Sequence, residues 1–262
     1  MAALVYGTSF NVPSAVTASS EQAAFPGTNA KLLRYPRRSW KTDGVIENAT
    51  LAYDWGTATG MTAVVLDDVN FVTVKIQADS ASTFNTAAGL PEYDSGNQTI
   101  SQDGRDGRYK LFFVFTQTYR YVRIKIISTT TTDSSSSARV GSFGVLNVYS
   151  TWGGNFGFPL EWSARKPVMG VGTSEPLAVG GRYTQLVLNS THYSNSLSME
   201  ATLNTMMGLG EDTLFCLYLN KANTSEVYLC DRVGSVSLST AGPNTTRFTQ
   251  MAFREVGELI GG

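Results

Sequence analysis

Apolar residues along this chain recur mainly with a period of two or in short unbroken runs. Val72, Val74 and Ile76 alternate with Thr73, Lys75 and Gln77, the pattern of a strand with one dry face. Leu51-Ala52-Tyr53-Asp54-Trp55 reads as a strand ending at Gly56, and Met61 to Leu66 forms a short apolar run after Gly60. Tyr109 to Phe115 is apolar apart from Lys110, Thr116-Gln117-Thr118 can turn, and Tyr119 to Ile127 returns. On that returning segment Val122, Ile124 and Ile126 lie on one side, Arg123 and Lys125 on the other, so the stretch predicts a hairpin. Gly141 to Tyr149 supplies a further strand. Strands recur between turn signals with no helical pattern between them, which predicts an antiparallel sandwich.

The remaining segments carry weaker patterns. Residues 1–27 are rich in Ala, Ser and Thr and read as an extended arm; the next stretch, to Gly44, is a basic loop punctuated by proline. Ala78 to Arg108 is a long polar connection containing Asp103-Gly104-Arg105-Asp106-Gly107-Arg108, whose Asp-Gly steps favour tight turns. Ser128 to Ser137 is low in complexity, lacks an apolar anchor and is expected to be a mobile loop. Trp152-Gly153-Gly154-Asn155-Phe156-Gly157-Phe158-Pro159 reads as a junction whose aromatics dock on a domain or a partner. Beyond it, Arg182 to Leu188 predicts a strand. Leu197 to Met207 predicts the single helix, with Met199, Leu203, Met206 and Met207 on one face. Thr213 to Leu219 and Val227 to Val233 predict a hairpin, and Arg247 to Val256 closes the chain. The expected organisation is an arm (1–27), a β-sandwich (28–150), a junction (151–160) and a small β-rich domain with one helix (161–262).

Composition narrows the chemistry. The 262 residues are 42% hydrophobic, 11% aromatic and 16% charged, which excludes a solvated disordered chain. The formal net charge of -1 provides no whole-molecule basic field for nucleic acid. No run reaches the roughly 20 apolar residues that span a bilayer, and Met1 to Phe10 lack the pattern of a secretory signal. His192 is the only histidine, so one chain cannot build a multi-histidine metal site. Cys216 and Cys230 lie symmetrically about Asn223, so their sulfurs are expected to face each other across the hairpin, as buried thiols in a reducing cytosol.

Candidate sites are few. Lys31, Arg34, Arg37, Arg38 and Lys41 fall within eleven residues free of acids, interleaved with Tyr35 and Trp40. Three readings fit: a solvated loop whose Trp40 packs into the sandwich, a surface for an acidic partner, and single-stranded nucleic acid, the last disfavoured by charge. Asp67, Asp68 and Asn70 could hold calcium, but adjacent strand residues point to opposite faces, and a turn is the simpler use. Gly170-Val171-Gly172 opens no phosphate cradle, and no motif nominates a nucleophile or a pair of glycosidase carboxylates. No catalytic, cofactor or metal residues are assigned, and the chain is not expected to be an enzyme.

Taken in order, Leu32-Leu33-Arg34-Tyr35-Pro36-Arg37-Arg38-Ser39-Trp40, Leu51-Ala52-Tyr53-Asp54-Trp55-Gly56, the run Met61 to Asn70 and the Val72 strand resemble discoidin-like, galactose-binding jellyroll domains. Arg182-Tyr183-Thr184-Gln185-Leu186, the helix, the hairpin and Phe253-Arg254-Glu255-Val256 resemble small β-rich domains of phage tail proteins. The fold class these resemblances imply is mainly β: a jellyroll sandwich followed by a smaller β-rich domain. The function they imply is a structural protein of a bacteriophage tail tip or baseplate, assembled with other tail proteins in the host cytoplasm as a homo-oligomer. Trp152, Phe156 and Phe158 are its candidate interface. The alternative is a carbohydrate-binding module for a host-surface glycan, with Tyr35, Arg37, Arg38 and Trp40 as binding residues; neither reading involves nucleic acid or a membrane.

Overall fold

A computed structural model of the chain describes residues 4–33, 38–84, 90–104, 107–152, 160–164, 182–188, 193–194, 213–218, 223–233, 238–240, 245–248 and 251–256. The architecture is mainly antiparallel β, as the hydrophobic patterning predicts. Its first ten strands are β1 (Leu4–Phe10), β2 (Ala15–Ala18), β3 (Trp40–Lys41), β4 (Thr50–Val69), β5 (Thr73–Asp79), β6 (Tyr93–Asp94), β7 (Gln98–Thr99), β8 (Ser101–Gln102), β9 (Tyr109–Ile126) and β10 (Arg139–Trp152).

Two long strands build the jellyroll sandwich. The N-terminal part of β4 lies between β2 and the C-terminal part of β9, which in turn pairs with β5; these form one layer. The C-terminal part of β4 lies between β10 and the N-terminal part of β9, and β10 pairs with β1; these form the other. Register shifts between Asp54 and Thr59 mark where β4 passes from one layer to the next. Between the layers Leu51, Tyr53, Val74, Ile76, Val122 and Ile124 meet Val64, Leu66, Phe143 and Phe115. Tyr53 stacks on Phe143 with ring centroids 4.3 Å apart, and its hydroxyl donates to the Phe143 carbonyl at 2.9 Å.

Several expectations change. The hairpin expected at Thr116-Gln117-Thr118 is one continuous strand: Gln117 pairs with Met61 and Thr118 with Gly60. Likewise, the two strands read on either side of Gly56–Gly60 are both parts of β4. Residues expected to form an arm instead supply β1 and β2, both paired within the sandwich. The Ser/Thr loop from Ser128 to Ser137 is tied down by Asn70. The Asn70 amide donates to Ser135 Oγ and the Ser137 carbonyl at 3.0 Å and to Asp133 Oδ1 at 3.2 Å, and its backbone carbonyl accepts from Thr132 N–H at 2.7 Å.

The C-terminal half continues as β11 (Leu160–Ala164), β12 (Arg182–Leu188), β13 (Tyr193–Ser194), β14 (Leu214–Tyr218), β15 (Val227–Val233), β16 (Leu238–Thr240), β17 (Thr245–Phe248) and β18 (Met251–Glu255). β14 pairs with β1, extending the sheet of the sandwich through β15 and β18 to β12 and β11. The sheet curls so that Phe112 N–H donates to the Thr224 carbonyl at 2.9 Å. Cys216, Tyr218, Val227, Leu229 and Val256 then cover Ala63, Val65, Phe112 and Leu146 on the outer face of the second layer. Burial on both faces explains the unbroken apolar run Ala63–Leu66 and the adjoining pair Leu111–Phe112.

The expected hairpin of β14 and β15 forms one residue out of the expected register. Cys216 pairs with Leu229 and Cys230 with Phe215, so the two cysteines leave opposite faces and do not confront each other. Both are buried free thiols. Trp152 ends β10 opposite Leu4 and so belongs to a strand. Phe156, Phe158, His192 and the helix expected over Leu197 to Met207 lie outside the described residues.

Candidate functional site

On the outer face of the first layer, strand alternation sorts side chains cleanly. Leu51, Tyr53, Val122 and Ile124 point into the core, so Thr50, Ala52, Asp54, Tyr121 and Arg123 point outward. Pairing sets these in rows across the sheet. One row runs Ala15, Asp54, Tyr121, Asp79; the next runs Thr17, Ala52, Arg123, Gln77, Asp94. The small side chains of Ala15 and Ala52 leave the middle of this face low. The loop after β5 raises its rim: the Asp79 carboxylate accepts Ala81 N–H at 2.8 Å, starting a turn that brings Ser82 and Phe84 over the sheet. The result is a groove of about 350 Å³ lined by Thr17, Ser19, Thr50, Ser82, Asp54, Tyr121, Arg123 and Phe84, with alanines at its base.

The groove's charges are held in fixed positions. Asp54 accepts a bidentate pair from Arg120, Nε at 2.8 Å and Nη2 at 2.9 Å, and a further bond from Gly56 N–H at 2.6 Å. The Arg120 hydrogen bond, opposed by some burial and aided by Gly56, holds the Asp54 carboxyl below the ordinary aspartate range. Arg120 also lies 4.8 Å from the Tyr121 ring. Arg123 donates from Nε to Gln77 Oε1 at 2.7 Å and sits 4.1 Å from the centre of the Phe84 ring. Burial pulls the Arg123 guanidinium down from its usual value while Asp79 and Asp94 pull the other way; it stays charged. A groove so furnished can bind a polar ring compound. It presents an aromatic face, four hydroxyls and an oriented cation within one depression.

The loop proposed from sequence behaves differently. Trp40 is 0% exposed and donates its indole N–H to the Ser20 carbonyl at 2.9 Å, so it packs into the sandwich and cannot serve as a stacking platform. Arg38 is exposed, and Tyr35 and Arg37 lie outside the described residues. Of this set only Arg38 and Trp40 are described, and Trp40 offers no ligand surface. Asp67 and Asp68 also part company: Asp68, at φ 55°, pairs with Arg139 at 3.0 Å, whereas Asp67 is buried. Asp67, Asp103 and Glu255 converge instead on Arg108 and on Lys110, whose Nζ lies 2.8 Å from Glu255 and 3.6 Å from Asp103.

No protein-family model matches the chain, and no curated protein is significantly similar to it. Solved structures do superpose on it. The CBM32 of AlyQ, in complex with 4,5-unsaturated mannuronic acid, covers 53% of this chain and 98% of its own at 18% identity and a TM-score of 0.41. The family 32 CBM from C. perfringens NanJ, in complex with galactose, covers 52% and 93% at 15% identity and a TM-score of 0.39. The lectin domain of lectinolysin, complexed with Lewis B antigen, covers 51% and 92% at 15% identity and a TM-score of 0.36.

The groove residues escape sequence reading because they come from four separated segments. Only the placement of Arg123 and Lys125 opposite the apolar side of their strand hints that this face is special. Nothing local marks Thr17, Ala52 or Ser82 as neighbours of that side chain.

Proposed function

We propose that this chain is a carbohydrate-binding module whose ligand lies in the outer-face groove. The observation that carries this reading is the arrangement of Tyr121 and Arg123 beside the hydroxyls of Thr17, Ser19, Thr50 and Ser82 over a base of alanines. A pyranose has an apolar C–H face and a polar rim. An aromatic ring meets the first, and short hydroxyls and a guanidinium meet the second. Among the described residues of the groove no nucleophile stands beside a general base, and the reading we propose is binding without turnover.

The experiment is glycan-array screening followed by calorimetry on the native chain, Tyr121→Ala and Ala52→Trp. Both substitutions lie on an outer strand face and leave the melting transition in place. Expected is a loss of at least about tenfold in affinity from each, the ~1.4 kcal/mol scale of one aromatic contact. Failure of every saccharide to bind sinks the proposal. Should the chain then self-associate or co-sediment with tail particles, the bacteriophage tail assembly reading takes its place.

A further inference from the structure

The charges around the groove also indicate which saccharide it takes; this step rests on the carbohydrate reading above. Arg123 is oriented by two contacts, the 2.7 Å bond from its Nε to Gln77 and the stack on Phe84, a residue held at φ 48° and 2% exposed. Gln77 is in turn fixed by donating to Asp94 Oδ2 at 2.7 Å. A guanidinium has five N–H donors, and among the described residues only the one on Nε is engaged in a hydrogen bond. Both Nη atoms are left to the groove that the side chain lines.

The nearby acids attract this cation through space but form no ion pair with it among the described residues. Asp54 spends both oxygens on Arg120. Asp94 receives Gln77 and Lys75 on Oδ2 and Gly96 N–H on Oδ1. Asp79, 1% exposed, turns Oδ1 to Ala81, and its Oδ2 has no hydrogen-bond partner among the described residues, so it offsets part of the charge without holding the guanidinium. Lys125 stands two residues along the same strand, in register with Thr50 of the groove, and adds a further cation to this sheet face. The face thus holds an oriented guanidinium beside an aromatic ring, and among the described residues nothing accepts a hydrogen bond from its Nη edge.

We propose that the groove selects an acidic saccharide, seating the carboxylate of a uronic acid on the Nη edge of Arg123 with the sugar ring against Tyr121. A planar two-oxygen acceptor matches two parallel N–H donors, which is why a carboxylate is favoured over a neutral hydroxymethyl group at that position.

The test uses polygalacturonate, polymannuronate and polyglucuronate oligomers, each beside its carboxyl-reduced neutral form, with sulfated galactan as a third arm. Expected is at least about tenfold tighter binding of one uronate series than of its reduced form. That preference should vanish in Arg123→Gln, which should bind the acidic and neutral oligomers alike, and should be only partly kept in Arg123→Lys. Raising salt from about 50 to about 500 mM should weaken the uronate and spare the neutral oligomer. Equal binding of acidic and neutral forms, or a preference that survives Arg123→Gln, overturns the inference and leaves the carbohydrate reading intact. An Arg123-dependent preference for the sulfated polymer overturns the carboxylate assignment. Absence of binding to all of these and to the glycan array removes both.

Discussion

Gly144 shows how one residue is dictated by its neighbours. A Cβ there would lie 3.0 and 3.1 Å from ring carbons of Phe10 and 3.3 Å from Leu33, because both side chains cross the strand at that point. We predict that Gly144→Ala destabilises the chain by about 1–3 kcal/mol, read from the denaturant midpoint. Adding Phe10→Leu should recover part of the loss, since the two changes share one contact. Asp54 supplies a second prediction. Its carboxyl is held below the ordinary value of about 3.9, so its contribution to stability is complete above that value and fades as pH falls through the lower folded one. Asp54→Asn should therefore flatten the acid limb of stability against pH, while leaving the slope above about pH 5 unchanged. At this scale the structure chooses between the readings of Trp40, in favour of its packing into the sandwich. An aromatic among cations looks like a platform, yet its indole is taken up by Ser20 in the interior.

Elements were legible in kind and misjudged in extent. Alternation identified β5 and the inward faces of β4 and β9 correctly, because period two depends only on local backbone geometry. The polar steps at Gly56–Gly60 and Thr116–Thr118 read as turns, but they are where two paired strands bend together between layers, with Gly56 at φ 78°. Pairing breaks at the bend and resumes beyond it, so both strands continue, and nothing local separates such a bend from a turn. The cysteine hairpin makes the same point about register. A slip of one residue, invisible in spacing, sends Cys216 and Cys230 to opposite faces. Burial pushes both thiols well above their usual range. Neither should react with a thiol reagent in the native chain, both should react after unfolding, and mild oxidation should leave non-reducing mobility unchanged. A cross-linked monomer would contradict the register.

The whole molecule is tied together by charge as well as by sheet. Glu255, on β18, ion-pairs with Arg108 and Lys110, and the latter is 0% exposed on β9. Asp103 accepts the Tyr228 hydroxyl at 2.7 Å, and the Tyr228 ring lies 4.4 Å from Lys110 Nζ. Removing one member of such a buried set strands another, which is costlier than removing both. We predict that Glu255→Ala costs about 3–5 kcal/mol by chemical denaturation. Lys110→Met in the same background should restore a substantial part of it. Were the C-terminal strands an independent unit, Glu255→Ala would leave the sandwich transition untouched.

By itself the sequence determined the β class and the inward-facing positions of the central strands. Each follows from local periodicity or from residue types, and neither needs a partner strand to be named. Tertiary structure alone decided that the N-terminal segment is built into the sheet, that β14 and β15 cover the second layer and that Lys110 meets Glu255. It also decided that Thr17, Ala52, Tyr121 and Arg123 share one groove. These are pairings between segments far apart in the chain, set by register and layer crossing, and a one-residue shift in either would have sent the same side chains elsewhere.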